Sequence, residues 1–338
     1  MADTVAIIYN APEESHYAEI GESSAINGVM DEVNAAAKSL AELGYVVKLV
    51  PLWPPLESAR ERLSQMEADF VFNIFEGFDD LPETESVIAG YLEELGIMHT
   101  GCPAEALAVA LNKANAREML RAAGILTPDY QVLTLNTIDE FWLAYPVIVK
   151  PLAEDASHGI GPESVVNDAN ALERQVKRIS ELFRGYALVE QFLDGREFNA
   201  TVMGNAELVV LPISELTYSL PPELPKVLTF AGKWEPKNIY YKGTKAVCPA
   251  HINDELEEEI SNTALTAYRR LKCRGYARVD MRLDSDGKPR VLEVNPNPDI
   301  THGYGVARQA RAAGMTYTQF IKRVVALALE TREYVPVR

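Results

Sequence analysis

Short apolar runs alternate with amphipathic stretches through the first hundred residues or so, and this rhythm limits the fold more than any other feature of the chain. Val5–Tyr9, Tyr45–Val50 and Asp69–Asn73 read as strands. Ser24–Leu43 carries apolar residues at helical spacing and stops at Gly44, and Glu85–Leu95 stops at Gly96. Strand–helix–strand units favour parallel pairing, because a crossover helix lets the second strand run the same way as the first. The segment is therefore expected to be a parallel, doubly wound α/β domain. No Gly-x-Gly-x-x-Gly follows the first strand, which argues against a dinucleotide-binding dehydrogenase.

The rhythm then changes. Pro103–Ala123 reads as one helix closed by Gly124. Pro146–Pro151 is a strand containing Lys150, followed by the polar loop Ala153–Gly161. A helix over Ala169–Phe183, a strand over Ala187–Phe192, a turn at Asp194-Gly195 and a strand over Arg196–Val202 suggest an α+β module. Further strands, a helix over Asp254–Lys272, a hairpin and a terminal helix complete the chain. Three units are expected: 1–111, 112–208 and 209–338.

The hairpin carries the chemistry. Arg278-Val279-Asp280 and Val291–Asn295 flank Asp284–Lys288, and Asp286-Gly287 is a strong two-residue turn signal. With those two residues central, Asp280 faces Glu293 and Arg278 faces Asn295. Facing carboxylates repel each other. A divalent cation removes the objection, and two carboxylates with an amide oxygen form a hard ligand set suited to Mg²⁺, with Mn²⁺ an admissible substitute. Arg278 beside them has the planar fork to hold an anionic oxygen.

Composition narrows the class. The chain has 338 residues, 47% of them hydrophobic, so it is long enough for two or three domains with ample core. A net charge of −17 argues against nucleic acid or an anionic membrane as the main partner. Cys102, Cys248 and Cys273 are far apart and odd in number, so no disulfide framework or metal spacing is read, and Cys248 is expected to be structural. The amino terminus lacks the basic and long apolar regions of a signal peptide, and no stretch is apolar enough to span a membrane, so a cytoplasmic location is expected. His99, His251 and His302 are scattered, with no nucleophile to complete a triad.

Asp280, Glu293 and Asn295 at this spacing, with Pro-Val-Ile-Val-Lys-Pro at 146–151 and Leu-Val-Glu-Gln-Phe-Leu-x-Gly-x-Glu at 188–197, resemble the ATP-grasp ligases, and among them the D-alanine–D-alanine ligase family. The resemblance implies an ATP-grasp fold behind an amino-terminal α/β domain. It implies that Lys113 and Lys150 contact ATP phosphates, that Glu190 and the Leu193 backbone hold the adenine end, and that Glu197 holds the ribose. The loop 153–161 matches the family's flap over the phosphates, which places Ser157 among the catalytic groups with Arg278. The stretch Lys226–Lys245 holds five lysines against one acid, Glu235, and matches a mobile closing loop in which Lys237 is the best candidate for the catalytic lysine. Closure would exclude water from a reactive acyl phosphate.

The implied activity is ATP-dependent ligation of a carboxylate to an amine, both amino-acid-like, with release of ADP and phosphate. The family usually forms dimers, so a homodimer is implied. Three places depart from the family pattern, all where substrate is handled: Tyr9–Ser15, Phe75–Glu85, and Asp299, which replaces a glycine. An aspartate there would repel a substrate carboxylate unless compensated, or would welcome a cationic amine. Ser23-Ser24 reads as a helix cap before it reads as a substrate contact. Two alternatives stand beside the ligase of altered specificity: a true D-alanine–D-alanine ligase with divergent loops, and a nucleotide-binding regulator without catalysis.

Overall fold

The computed structural model describes residues 2–11, 24–78, 81–154, 157–183 and 185–330. Most of the first departure, Tyr9–Ser15, lies outside these residues, as do Asp79-Asp80 of the second, Asp155-Ala156 of the flap, and Ser23.

Strands β1 (Thr4–Asn10), β2 (Val46–Leu52) and β3 (Phe70–Asn73) form a parallel sheet in the order β2-β1-β3. A parallel bridge between Val71 and His99 extends it. Successive residues of β1 face opposite ways. Val5, Ile7 and Tyr9 pack with Val33, Ala36 and Leu40 of α1 (Ser24–Glu42), while Ala6 and Ile8 pack with α2 (Leu56–Ser64) and α3 (Thr84–Glu94). Helices cover both faces, as the alternation of strands and helices predicts.

The expected single helix over 103–123 is two. α4 (Ala104–Leu111) and α5 (Lys113–Ala122) part at Asn112, whose backbone leaves the helical region at φ −85°, ψ 93°. Its side chain accepts from Asn115 N at 3.1 Å and caps α5. Helical propensity alone hides such a break, because asparagine inside a periodic run gives only a mild signal.

Two antiparallel sheets follow. The smaller has the order β4-β7-β5-β6, from β4 (Tyr130–Leu133), β5 (Val147–Pro151), β6 (Val165–Val166) and β7 (Ala187–Gln191). Leu172, Val176 and Ile179 of α6 (Ala169–Leu182) pack on its apolar face. The larger has the order β11-β10-β8-β12-β13, with β9 on β8. Its strands are β8 (Glu197–Gly204), β9 (Leu208–Val210), β10 (Ser214–Tyr218), β11 (Thr244–Val247), β12 (Gly275–Leu283) and β13 (Pro289–Asn295). β8, which falls inside the expected unit 112–208, is the middle strand of the larger sheet, so that sheet draws strands from both of the last two expected units. The basic stretch holds two short helices, α7 (Phe230–Trp234) and α8 (Ile239–Gly243). The remaining helices are α9 (Asp254–Arg270), α10 (Gly305–Ala312) and α11 (Tyr317–Glu330).

Strand periodicity sorts the larger sheet into a core face and a chemical face. Ala277, Val279 and Met281 of β12 join Phe198, Ala200 and Val202 of β8 against Ile260, Ala264 and Tyr268 of α9 and Ala116 and Leu120 of α5. The alternate residues Arg278, Asp280 and Arg282, with Glu197 and Asn199, line a cleft on the other side.

The hairpin register holds at the site, but by a different route from the one expected. The turn is not the two-residue Asp286-Gly287 loop. Asp284 and Lys288 close it, with Asp284 N donating to Lys288 O at 3.0 Å. Asp284 Oδ1 accepts from the backbone N–H groups of Asp286 and Lys288, both at 2.9 Å, and Gly287 takes φ +77°. Three loop residues ending in a left-handed glycine displace the pairing by one. An irregularity between Asp280 and Met281 displaces it back, and Asp280 faces Glu293 while Arg278 faces Asn295.

Candidate active site

The cleft has a volume of about 1330 Å³, larger than the ~300–1,000 Å³ of an ordinary small-ligand pocket. Residues from the amino-terminal domain and both antiparallel sheets line it.

At one end lies a buried ion cluster. Ile148 of β5 pairs with Glu190 of β7, and Lys150, two residues on, shares the face of Glu190. Glu190 contacts both Lys150 and Arg117. Burial would raise its carboxyl, yet Arg117 and Lys150 together hold it below its ordinary value. Arg117 also donates to Leu292 O at 2.9 Å, so one side chain ties β7 to β13. Arg117 escaped the sequence reading. The signal was its position one helical turn after Lys113, with both on the buried side of α5.

Arg282 was also missed, although strand alternation places it on the face of Asp280. It donates to Leu193 O at 2.9 Å and stands 2.9 Å from Glu197 Oε2. Tyr218 donates its hydroxyl to the same oxygen at 2.7 Å. Burial, helped by the Glu197 charge, pushes the Tyr218 phenol well above its ordinary value, so it remains a donor. Arg282 thus braces the connection between the two sheets, where Leu193 and Glu197 line the cleft.

The hairpin supplies the next group. Asp280 receives Arg278 Nε and Nη2 at 2.7 and 2.8 Å and Asn199 Nδ2 at 2.7 Å. Arg278 is therefore engaged by Asp280 rather than pointing alone into the cleft. Burial, reinforced by Glu293 opposite, pushes the Asp280 carboxyl up despite Arg278. Glu293 behaves in the opposite way. Burial opposes its charge, but Lys113, Lys150, Arg278 and Lys233 draw its carboxyl down to about 2. Lys113 Nζ stands 3.8 Å from Glu293 Oε2 and donates to Glu154 O at 2.6 Å. Asn295 Oδ1 accepts from Asn297 N at 3.0 Å and keeps a second lone pair. These hard oxygens on one sheet face, with two carboxylates directly opposed, fit a divalent cation. Among the described residues no group of three or more His, Cys, Asp or Glu is arranged to hold a metal, so a cation here would need the Asn295 amide as well.

The flap and the basic stretch meet over the cleft. Ser157 lines it in a left-handed conformation, φ +63°. His158 is buried with its ring 5.3 Å from that of Phe230, and Phe230 N donates to Ile160 O at 3.0 Å. Lys237 is exposed and does not line the cleft. Lys233, Lys242 and Lys245 do, and Lys233 is the one whose charge acts on Glu293. The missed signal was helical: Lys233 sits next to Trp234 on α7, where a one-turn helix fixes its direction.

The far end is acidic. Glu32, Glu76, Glu85 and Asp299 line it. Glu32 accepts from Ile300 N at 3.2 Å, and burial, with Asp299 and Glu76 nearby, pushes its carboxyl well above the usual range. Asp299 Oδ1 accepts from Thr301 N at 2.6 Å. Asn297 donates to Glu85 Oε1 at 2.8 Å and to Phe75 O at 3.1 Å, which ties the end of the hairpin to the amino-terminal domain.

Comparison with known proteins agrees with this arrangement. Residues 119–326 match the family described as D-ala D-ala ligase C-terminus. The chain is 31% identical over 285 residues to an uncharacterised protein of Sinorhizobium fredii, covering 84% of this chain and 80% of that one. It is 32% identical over 298 residues to the D-alanine–D-alanine ligase of Gluconobacter oxydans, covering 87% and 92%. The solved D-alanine–D-alanine ligase of Bacillus anthracis superposes with a TM-score of 0.75 at 21% identity, covering 98% and 99%, a likeness of fold. The chain belongs to the D-alanine–D-alanine ligase family of ADP-forming ATP-grasp ligases.

Proposed function

We propose that this protein joins the carboxylate of one amino-acid-like substrate to the amine of another through an acyl phosphate, converting ATP to ADP and phosphate. The observation that carries the reading is the meeting, in one cleft, of the Asp280–Glu293–Asn295 oxygens, the lysines at 113, 150 and 233, and the Leu193–Glu197 connection. Mg²⁺ held by the three oxygens would neutralise charge that develops as the γ-phosphoryl group moves.

The chain's own residues have distinct duties in this reading. Glu190, already neutralised by Lys150 and Arg117, and the Leu193 backbone border the adenine end, and Glu197 takes the ribose. Lys113 and Lys150 offer positive charge to the phosphates. Arg278 orients Asp280 and presents its remaining donors to the transferred phosphoryl group. Ser157 and the backbone of the flap cover the phosphates. α7, packed on the flap through Phe230, excludes water from the acyl phosphate, and Lys233 takes the part first assigned to Lys237. The amine of the second substrate then displaces phosphate.

The Gluconobacter oxydans relative is a D-alanine–D-alanine ligase, so D-alanine is the first amino acid to test on both sides of the bond. The test is phosphate release with Mg·ATP over D- and L-amino acids, followed by product mass. A product whose mass is not that of the two amino acids less one water would overturn the reading, as would ATP turnover independent of added amino acid.

A further inference from the structure

Three arginines line the cleft among the described residues, and two are paired. Arg278 is held by Asp280 and Arg282 by Glu197. The third, Arg308 on α10, is half-buried, and no described side chain or carbonyl lies within hydrogen-bond or ion-pair distance of its guanidinium. Burial, the leading influence, holds it below the ordinary arginine value, so it is a partly desolvated cation without a carboxylate partner among the described residues.

Arg308 lines the same cleft as Gly305, Asp299 and the Arg278–Asp280 pair. Gly305, one helical turn earlier on the same side of α10, takes φ +36°. A Cβ there would stand 3.1 Å from Asp299 O and 3.9 Å from Arg278 Nη1. A side chain at 305 would crowd the Asp299 carbonyl, so the cleft wall between Asp299 and Arg278 suits glycine. Asp299, which also lines the cleft, is near enough to act on Arg308 electrostatically. An aspartate alone would repel an anionic substrate, and Arg308 offsets it.

We propose that Arg308 binds the carboxylate of the amine substrate and so selects an amino acid, rather than a simple amine, as the acceptor. The inference rests on the ligase reading above. The donor's carboxylate is consumed at the phosphoryl-transfer point beside Arg278. The acceptor's carboxylate takes no part in bond formation and needs a cation of its own, within a few bonds of the attacking amine. Among the described cleft arginines Arg308 is the one without an ion-pair partner, and its fork suits a carboxylate.

Calorimetric titration of the Mg·ADP-saturated protein with D- and L-α-amino acids and their amides tests this. The wild type should bind one equivalent of amino acid whose affinity falls about 10- to 100-fold in Arg308→Met, the worth of hydrogen bonds to a charged group. Arg308→Lys should recover part of the loss, and the amides should bind wild type and Arg308→Met alike. Equal amino-acid affinity and stoichiometry in both proteins overturns the proposal. So does an amide bound as tightly as its amino acid, or no amino-acid binding by the wild type. Phosphate release over the same panel is read separately: none, with Arg308-dependent binding intact, defeats the ligase reading and leaves the anion site standing.

Discussion

Arg278 grips Asp280, two residues further along the same strand, through Nε and Nη2 at 2.7 and 2.8 Å. The period of a strand puts both side chains on the cleft face, and the guanidinium fork locks the carboxylate in one orientation. Lysine keeps the charge and loses the fork. Arg278→Lys is expected to lower kcat by about 10²–10³, the usual worth of one electrostatic group in a transition state. Phosphate release under saturating substrates checks this, and a loss confined to KM would assign Arg278 to binding instead.

Glu293 stands opposite Asp280 and is drawn down to about 2 by the cations around it. Glu293→Ala should abolish turnover at every Mg²⁺ concentration and weaken Mn²⁺ binding measured by electron paramagnetic resonance. Near-normal turnover in saturating Mg²⁺ would remove this residue from the metal set.

Arg117 and Glu190 are each about 2% exposed at the side chain, so their charges depend on each other and on Lys150. Removing one member of a buried ionic group leaves its partner uncompensated. Arg117→Met should cost about 3–5 kcal/mol of stability in urea unfolding. Adding Glu190→Gln should restore part of it, and additive losses in the double variant would show that the two do not interact.

Lys233 lines the cleft and Lys237 does not. Lys233→Ala should lower kcat/KM for ATP by at least about tenfold, as loss of a charged hydrogen-bond donor commonly does. Lys237→Ala should change it by less than about twofold, the small effect of an exposed charge. Steady-state kinetics of both variants decides between them, and the reverse ranking returns the role to Lys237.

His99 is buried, its ring Nδ1 is 3.1 Å from Thr100 O, and its Nε2 is 3.4 Å from Arg274 Nη2. Burial, followed by the Arg274 charge, lowers its value to about 4. Between about pH 6.5 and 4 the unfolded chain protonates this histidine and the folded chain does not, so stability rises with pH across that window. The contribution is complete above pH 6.5 and is lost as pH falls toward 4, with a total of about 3 kcal/mol. Urea midpoints from pH 4 to 7 should show this slope, and His99→Asn should flatten it.

The sequence alone carried the periodic and local part of this protein. β1, β2, β3, α1 and α3 follow from hydrophobic spacing and glycine stops, and the polar face of β12 follows from strand alternation, because these signals act between near neighbours. The facing of Asp280 and Glu293 was also legible, although two compensating irregularities in the hairpin, and not a two-residue turn, produce it. Only the tertiary structure decided the pairings made across distant segments. Arg117 reaches Glu190, Arg282 reaches Glu197, Lys233 rather than Lys237 enters the cleft, and Arg308 has no carboxylate partner among the described residues. Side-chain charges act through space, and which of them meet depends on how two sheets and the amino-terminal domain pack, a relation that spacing along the chain does not encode.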